Sequence, residues 1–305
     1  MSAVSLARVA SLLLCAFAFG APAGAAGSHP LLDYARERDS KREPPKGASQ
    51  PSGVRTAEHA IEQAHVPPAA ECAASLGAAR FAQLYTELGA ARGLDGDFTG
   101  AAEAYRAGLQ CRPRDALLHA ALASALFDAR DYAGARVAVD AALAIDPRAV
   151  ETNRLAGNLD FVAERWPEAI ARFRYTAASD ADRAHAAYGQ LMYWLAQARA
   201  GVAHPEFVAR TPTEGWPQPL LLHLTGEYTE EELISQIDAG DAASNNQPNT
   251  STDERLCEAL FYVGERYWAR GDRATARDYF ASLVNLRVIY FLEHGLALAE
   301  IAKLR

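Results

Sequence analysis

The residues that could carry chemistry in this chain are eight histidines, four cysteines and a few clustered acids. No histidines have the His-Glu-x-x-His spacing that places two imidazoles on one helix face to hold zinc. His59 and His65 are six residues apart, so they do not share a helix face. The chain also lacks a nucleophile-elbow motif and a glycine-rich phosphate loop. We therefore expect no catalytic residues, no cofactor and no bound metal.

The clustered acids are typical of helix starts. The run at residues 230–232 follows Thr229, and Thr229 with Glu232 has the spacing of a capping box. Glu293 and His294 lie on the last predicted helix, where a packed or hydrogen-bonded histidine is favoured over a catalytic one. A hydrolase whose site is built from scattered residues remains an unfavoured alternative.

Composition and the first residues indicate an exported protein. The formal net charge is −8, and an acidic chain without basic clusters is poorly suited to nucleic acid. Residues 1–25 have the charged start, apolar run and small residues of a signal peptide, and the run is too short for a transmembrane helix. Leu14 stands where a lipoprotein signal needs a small residue before Cys15. We expect a periplasmic chain, with lipid anchoring to the outer membrane as the alternative.

The elements that would position these residues follow a 34-residue period. Small residues recur at this step, at Gly89, Ala123 and Gly157 and again at Ala101, Ala135 and Ala169. They let two helices approach closely, Gly96 and Asp97 form the turn between them, and Pro113 ends the second helix. The pattern resembles the tetratricopeptide repeat, an antiparallel helix pair. We predict an all-α fold: a tetratricopeptide-repeat helical solenoid with an irregular helical insertion and a C-terminal capping helix.

The period also divides the chain into segments. Gly264 lies 107 residues after Gly157, five more than three periods, so an irregular insertion precedes the last repeat. The predicted segments are a signal peptide (1–25), a flexible linker (26–54), N-terminal helices (55–81), three repeats (82–183), a degenerate repeat with the helical insertion (184–252), and a last repeat with the capping helix (253–305).

Two segments make the resemblance more specific, Leu-Thr-Gly-Glu-Tyr at 224–228 and Phe-Leu-Glu-His-Gly at 291–295. Together with the order of repeats and insertion, they make residues 78–302 similar to the bacterial NlpI-type lipoproteins. That resemblance implies a homodimeric, non-catalytic adaptor of the cell envelope, which brings peptidoglycan hydrolases to a C-terminal-processing protease. An alternative is a periplasmic assembly or secretion factor that uses the same groove for a different client.

A groove for protein partners follows from the solenoid, because the first helix of each pair lines its concave face. The predicted groove consists of Thr86, Ala90, Ser124, Phe127, Asp128, Arg154, Asn158 and Phe161. Phe127 and Phe161 would supply apolar contact. Arg154 and Asn158 are only part of a cluster that grips a chain-terminal carboxylate, so we expect an internal segment or folded surface as ligand. The alternative is that this pair is solvated polar surface.

Cys72 and Cys111 are a predicted disulfide. Cys111 ends the second helix of repeat one, and antiparallel pairing returns that end close to the helix that carries Cys72. An oxidising compartment permits the bond, but bridging needs Cα atoms within about 7 Å, so two free thiols remain the alternative. Cys257 is predicted to be a buried small hydrophobe.

Overall fold

The computed structural model describes residues 29–41, 52–67, 69–203, 205–207, 215–242, 251–289 and 291–304. The predicted signal peptide lies outside these residues. The described part contains no strand and folds into the following helices: α1 (Pro30–Ser40), α2 (Ser52–Ala64), α3 (Ala69–Cys72), α4 (Ala78–Leu94), α5 (Phe98–Cys111), α6 (Ala116–Asp128), α7 (Tyr132–Ile145), α8 (Val150–Val162), α9 (Trp166–Ser179), α10 (Arg183–Arg199), α11 (Gln218–Thr225), α12 (Glu230–Ala242), α13 (Thr252–Ala269), α14 (Arg273–Asn285) and α15 (Leu292–Lys303). None of these helices is both long and apolar enough to span a bilayer.

The predicted all-α tetratricopeptide-repeat solenoid is confirmed. Helices α4–α5, α6–α7 and α8–α9 form three consecutive pairs, each stacked on the next, and α13–α14 forms a further pair. Helix α10 continues the stack by packing against both α9 and α13. The insertion contributes α11 and α12, which pack against α13.

The same turn joins the two helices of each of the first three pairs. Its left-handed residue recurs every 34 positions, with φ of 77° at Gly96, 63° at Arg130 and 56° at Glu164. In the first two turns the next residue, Asp97 or Asp131, accepts a hydrogen bond at 2.9 Å from the amide three residues later. That bond satisfies one of the free amides at the start of the second helix. Arginine and glutamate adopt this left-handed conformation less readily than glycine does. Packing between the paired helices therefore helps to hold the turn at Arg130 and Glu164.

A close approach of α9 and α10 makes Gly189 a sensitive position. A Cβ atom added there would lie 2.8 Å from the backbone nitrogen of Ala177 and 2.9 Å from its Cα. Backbone atoms cannot rotate away, so we expect Gly189→Ala to lower the free energy of unfolding by about 2 kcal/mol. Thermal melting measures the change. Gly93→Ala in α4 is the matched control, because no atom lies within 4 Å of its added Cβ, and equal loss in both variants would contradict the close packing.

Residues 30–40 differ from the predicted flexible linker. They form α1, and Leu31, Leu32 and Ala35 are buried where this helix packs against α12, α13 and α14. These three residues form a single apolar patch on one face, too short to register as periodicity in the sequence. Helix α2 likewise begins at Ser52, inside the segment predicted as linker.

A disulfide joins Cys72 at the end of α3 to Cys111 at the end of α5. The two Cα atoms are 4.6 Å apart, because the end of α5 returns to the helix preceding repeat one. Cys257 is a buried free thiol, and burial raises its pKa well above the ordinary value. It therefore packs as a small apolar side chain in α13.

Helix α15 lies inside the curve of the solenoid. It contacts α6 and α8, which are the first helices of repeats two and three, and it also contacts α13 and α14. Leu296 and Ala297 of α15 are fully buried in the same apolar core as Phe127 and Phe161. Just before α15, the Ile289 side chain packs against Gly96 in the turn of repeat one. The predicted capping helix thus also fills part of the concave face.

Candidate functional site

The predicted groove residues lie on α4, α6 and α8 and differ widely in exposure. Ala90 and Ser124 are exposed to solvent. Thr86, Asp128 and Arg154 are partly buried, and the Thr86 hydroxyl donates to the Ala82 carbonyl of its own helix at 2.8 Å.

Phe127 and Phe161 are at most 1% exposed, which corrects the prediction that they supply the partner contact. The Cβ position of Gly295 in α15 lies 3.4 Å from the Phe127 ring. Phe161 packs edge-on against Trp166, with ring centroids 5.4 Å apart. Both rings therefore contribute to packing within the chain, because α15 and its neighbours occupy the space predicted for a ligand.

Arg154 and Asn158 do not form an open clamp. The Arg154 guanidinium pairs with Glu151 of its own helix, and burial lowers its pKa. Asn158 is 2% exposed, and its Oδ1 has no hydrogen-bond partner among the described residues. This arrangement differs from the alternative of a solvated polar surface, since Asn158 is removed from solvent.

One position compared across three repeats shows where the concave face closes. Ala90, Ser124 and Asn158 are spaced by 34 residues, so they occupy equivalent places on α4, α6 and α8. The first two are exposed and the third is buried. At this position the groove is therefore open in repeats one and two and closed in repeat three, while α15 covers the Phe127 side of repeat two.

A buried ion cluster ties α15 to the helices behind it. Arg199, at the end of α10, donates to Glu265 of α13 at 2.6 Å and to Glu300 of α15 at 3.1 Å. The three side chains are at most 3% exposed. Lys303 bridges Glu300 and Glu164 at 2.9 and 3.3 Å. We call these five residues the Arg199 cluster.

Aromatic rings surround the central guanidinium of the cluster. Its carbon lies 4.4 Å from the ring centroid of Trp268, 5.2 Å from that of Trp166 and 5.5 Å from that of Phe161. Burial raises the pKa of Glu265 to about 7, against the opposing effect of Arg199. The positive charge therefore compensates carboxylates in a site that excludes water, and its loss would leave them uncompensated.

Sequence reasoning missed the Arg199 cluster. The signal was present in two acids, Glu265 in the segment Leu260–Trp268 and Glu300 in the segment Gly295–Leu304, each of which interrupts an apolar helix. Nothing in the spacing identifies Arg199 as their partner, since Glu265 is 66 residues away along the chain and Glu300 is 101.

A second pair of buried acids lies between α10, α13 and α15. Glu258 accepts from the Trp216 indole nitrogen at 2.6 Å and from the Tyr188 hydroxyl at 2.9 Å. Glu293 accepts from the Tyr262 hydroxyl at 3.4 Å. Burial raises the pKa of Glu293 to about 7, and burial followed by repulsion from Glu293 raises the pKa of Glu258 well above its ordinary value. Hydrogen bonds from tyrosine hydroxyls and a tryptophan indole thus satisfy both acids within the core.

Asp128 makes the contact between α6 and α15 sensitive to pH. Its Oδ1 lies 3.7 Å from the Cβ position of Gly295, and burial raises the pKa of this carboxyl to about 7. The pKa of Asp128 is higher in the folded state than in the unfolded state. The carboxyl therefore costs no stability below about pH 4, where it is protonated in both states. The free energy of unfolding then falls as pH rises, and the loss is complete above about pH 7.

Asp128→Asn is therefore expected to stabilise the fold by about 2 kcal/mol at pH 8, because the amide avoids burying a charge. The gain should disappear near pH 4, where the native carboxyl is protonated in both states. Urea unfolding across this pH range measures it. Asp278→Asn, at an exposed position of α14, should change little at any pH, and a pH-independent effect of Asp128→Asn would contradict the prediction.

Glu151, Asp180 and His185 bring oxygen and nitrogen atoms within 4.8 Å of one another at the surface. Glu151 already pairs with Arg154, and exposed acids often gather in this way without an ion. We assign no metal to this group.

No protein-family model matches this chain. Among solved structures, it is similar to one described as "Functional Characterization of Pseudomonas Aeruginosa pilF", with 21% sequence identity. The match covers 69% of this chain and 93% of that one, with a TM-score of 0.43. A likeness this distant assigns no function to this chain.

Proposed function

We propose that this chain is an exported, non-catalytic adaptor that binds protein partners through the open part of its repeat groove. By its resemblance to the NlpI-type lipoproteins, it recruits peptidoglycan hydrolases to a C-terminal-processing protease in cell-envelope maintenance. It acts as a homodimer, and its ligand is an internal protein segment or a folded surface rather than a free C-terminus.

The exposed groove positions of repeats one and two carry this proposal. Ala90 and Ser124 face solvent at equivalent places on α4 and α6, where a repeat protein offers its ligand surface. Repeat two also exposes a large apolar side chain on its groove helix, since Leu117, two turns before Ser124 on α6, is 82% exposed. Exposed apolar side chains of this size are common at protein interfaces.

The disulfide between Cys72 and Cys111 supports export. Structural disulfides persist in oxidising compartments such as the periplasm and are rare in the cytosol. Together with the signal-peptide pattern of residues 1–25, this favours a protein that works outside the cytoplasm.

Binding of candidate partners tests the proposal. The chain is mixed with a C-terminal-processing protease and a peptidoglycan hydrolase from the same organism, and complexes are measured by pull-down and calorimetry. Ala90→Arg with Ser124→Arg should weaken binding about ten-fold or more, because two long charged side chains would block the groove. Alone, the chain should hydrolyse neither peptidoglycan nor casein.

A matched control carries the same two added charges elsewhere. Gln110→Arg in α5 and Ala133→Arg in α7 lie at exposed positions of the second helices of the same repeats. This variant should bind as the native chain does. If the groove variant and the control variant bind the partner with the same affinity, and both keep the native melting temperature, the partner surface lies outside the groove.

A further inference from the structure

A second surface of the molecule already holds a helix. Helix α1 packs against α12, α13 and α14, although it comes from the other end of the chain. We call the receiving residues the α1 cradle, and they are Glu230, Asp238, Asp253, Tyr267 and Tyr279.

The cradle has internal contacts that do not involve α1. The hydroxyls of Tyr279 and Tyr267 donate to Glu230 at 2.8 and 3.2 Å. The two tyrosine rings stack with centroids 5.3 Å apart. Residues of α12, α13 and α14 thus hold one another in place, as in a preformed binding site.

Helix α1 meets the cradle with complementary chemistry. The Leu31 amide at the start of the helix donates to Glu230 at 3.2 Å, and an acid favours a helix N-terminus. The Tyr34 hydroxyl donates to Asp238. The Arg38 guanidinium donates to Asp253 at 3.1 Å. Each acid of the cradle therefore faces a donor of α1.

The apolar contact of α1 is confined to one short face. Leu31, Leu32 and Ala35 are buried and Tyr34 is partly buried beside them, while eleven residues must be ordered to form the helix. That ordering entropy offsets much of the gain from burial. Residues 41–51 connect α1 to α2, which packs against α4 rather than beside the cradle.

We propose that the α1 cradle is a helix-binding site that α1 occupies as an intramolecular ligand. The partner it accepts in trans is a helix with the chemistry of α1: adjacent leucines in the first turn, a tyrosine at the start of the second turn and an arginine one turn further on. This adds a second partner surface to the proposed adaptor. Its test uses no groove residue, so either proposal can fail alone.

Peptide binding to the full chain tests the site. The probe is a peptide of residues 29–41 with a fluorophore at its C-terminus, followed by anisotropy. The chain with Leu31→Asp and Leu32→Asp, which repels its own α1 from the acidic cradle, should bind the peptide at least ten-fold more tightly than the native chain does. A peptide with both leucines replaced by alanine should not bind.

A charge exchange identifies the surface. Adding Asp253→Arg to the released chain should weaken its binding of the native peptide about ten-fold. A peptide with Arg38→Glu should bind this variant with the affinity restored. As a second route to release, residues 44–49 are replaced by a specific protease site and cut, which leaves every side chain of α1 native. The labelled peptide should then exchange with the cut fragment.

Two results would overturn the proposal. If cutting the connection or releasing α1 unfolds α12–α14, the helix is a fixed part of the core. If the released chain stays folded but does not bind the peptide, the cradle is not a binding site.

Discussion

Arg199→Met is expected to lower the free energy of unfolding by about 3–5 kcal/mol at pH 7.5, the range found when one partner of a buried ion pair is removed. Methionine keeps much of the volume between Trp166 and Trp268 but removes the positive charge. The carboxylates of Glu265 and Glu300 then stay buried without their principal cation. Because burial already raises the pKa of Glu265 to about 7, protonation should reduce the loss as pH falls toward 5.5.

Urea unfolding at pH 7.5 and pH 5.5 measures this effect, and hydrogen exchange of α15 locates it. Adding Glu265→Gln and Glu300→Gln to Arg199→Met should recover much of the lost stability, because no buried charge is left uncompensated. Arg174→Met, at an exposed position of α9, is the matched control and should stay within about 0.5 kcal/mol of native. Equal losses in Arg174→Met and Arg199→Met would show that the cluster does not hold α15.

Reduction of the disulfide is expected to lower the free energy of unfolding by about 4 kcal/mol, because the bond restricts the unfolded chain across a long loop. Cys72 and Cys111 are 39 residues apart, and the loop between them contains all of α4. Cys72→Ala with Cys111→Ala should lose a similar amount. Thermal or urea unfolding with and without a phosphine reductant measures both.

The double variant should be insensitive to reductant. Cys257→Ala supplies the complementary control, because it removes the buried free thiol and keeps the bond. That variant should lose stability on reduction as the native chain does. A native chain whose unfolding is the same with and without reductant would contradict the prediction.

The groove prediction depended on the assumption that concave positions are available to a partner. The 34-residue spacing placed Phe127 and Phe161 at equivalent positions of α6 and α8, where they do lie. Their exposure depends on α15, which packs against those helices more than 130 residues further along the chain. The spacing therefore identified the helix faces without revealing what covers them.

The sequence by itself determined the repeated part of this protein. Gly89, Asp97 and their equivalents predicted helix pairs, turns and caps, because those contacts join residues within one period. The tertiary structure alone decided where α1 and α15 dock and which charges meet at Arg199. Leu31 lies 199 residues from Glu230, and Arg199 lies 101 residues from Glu300. Such contacts depend on the curvature of the whole solenoid, which accumulates from small rotations between repeats and leaves no period in the sequence.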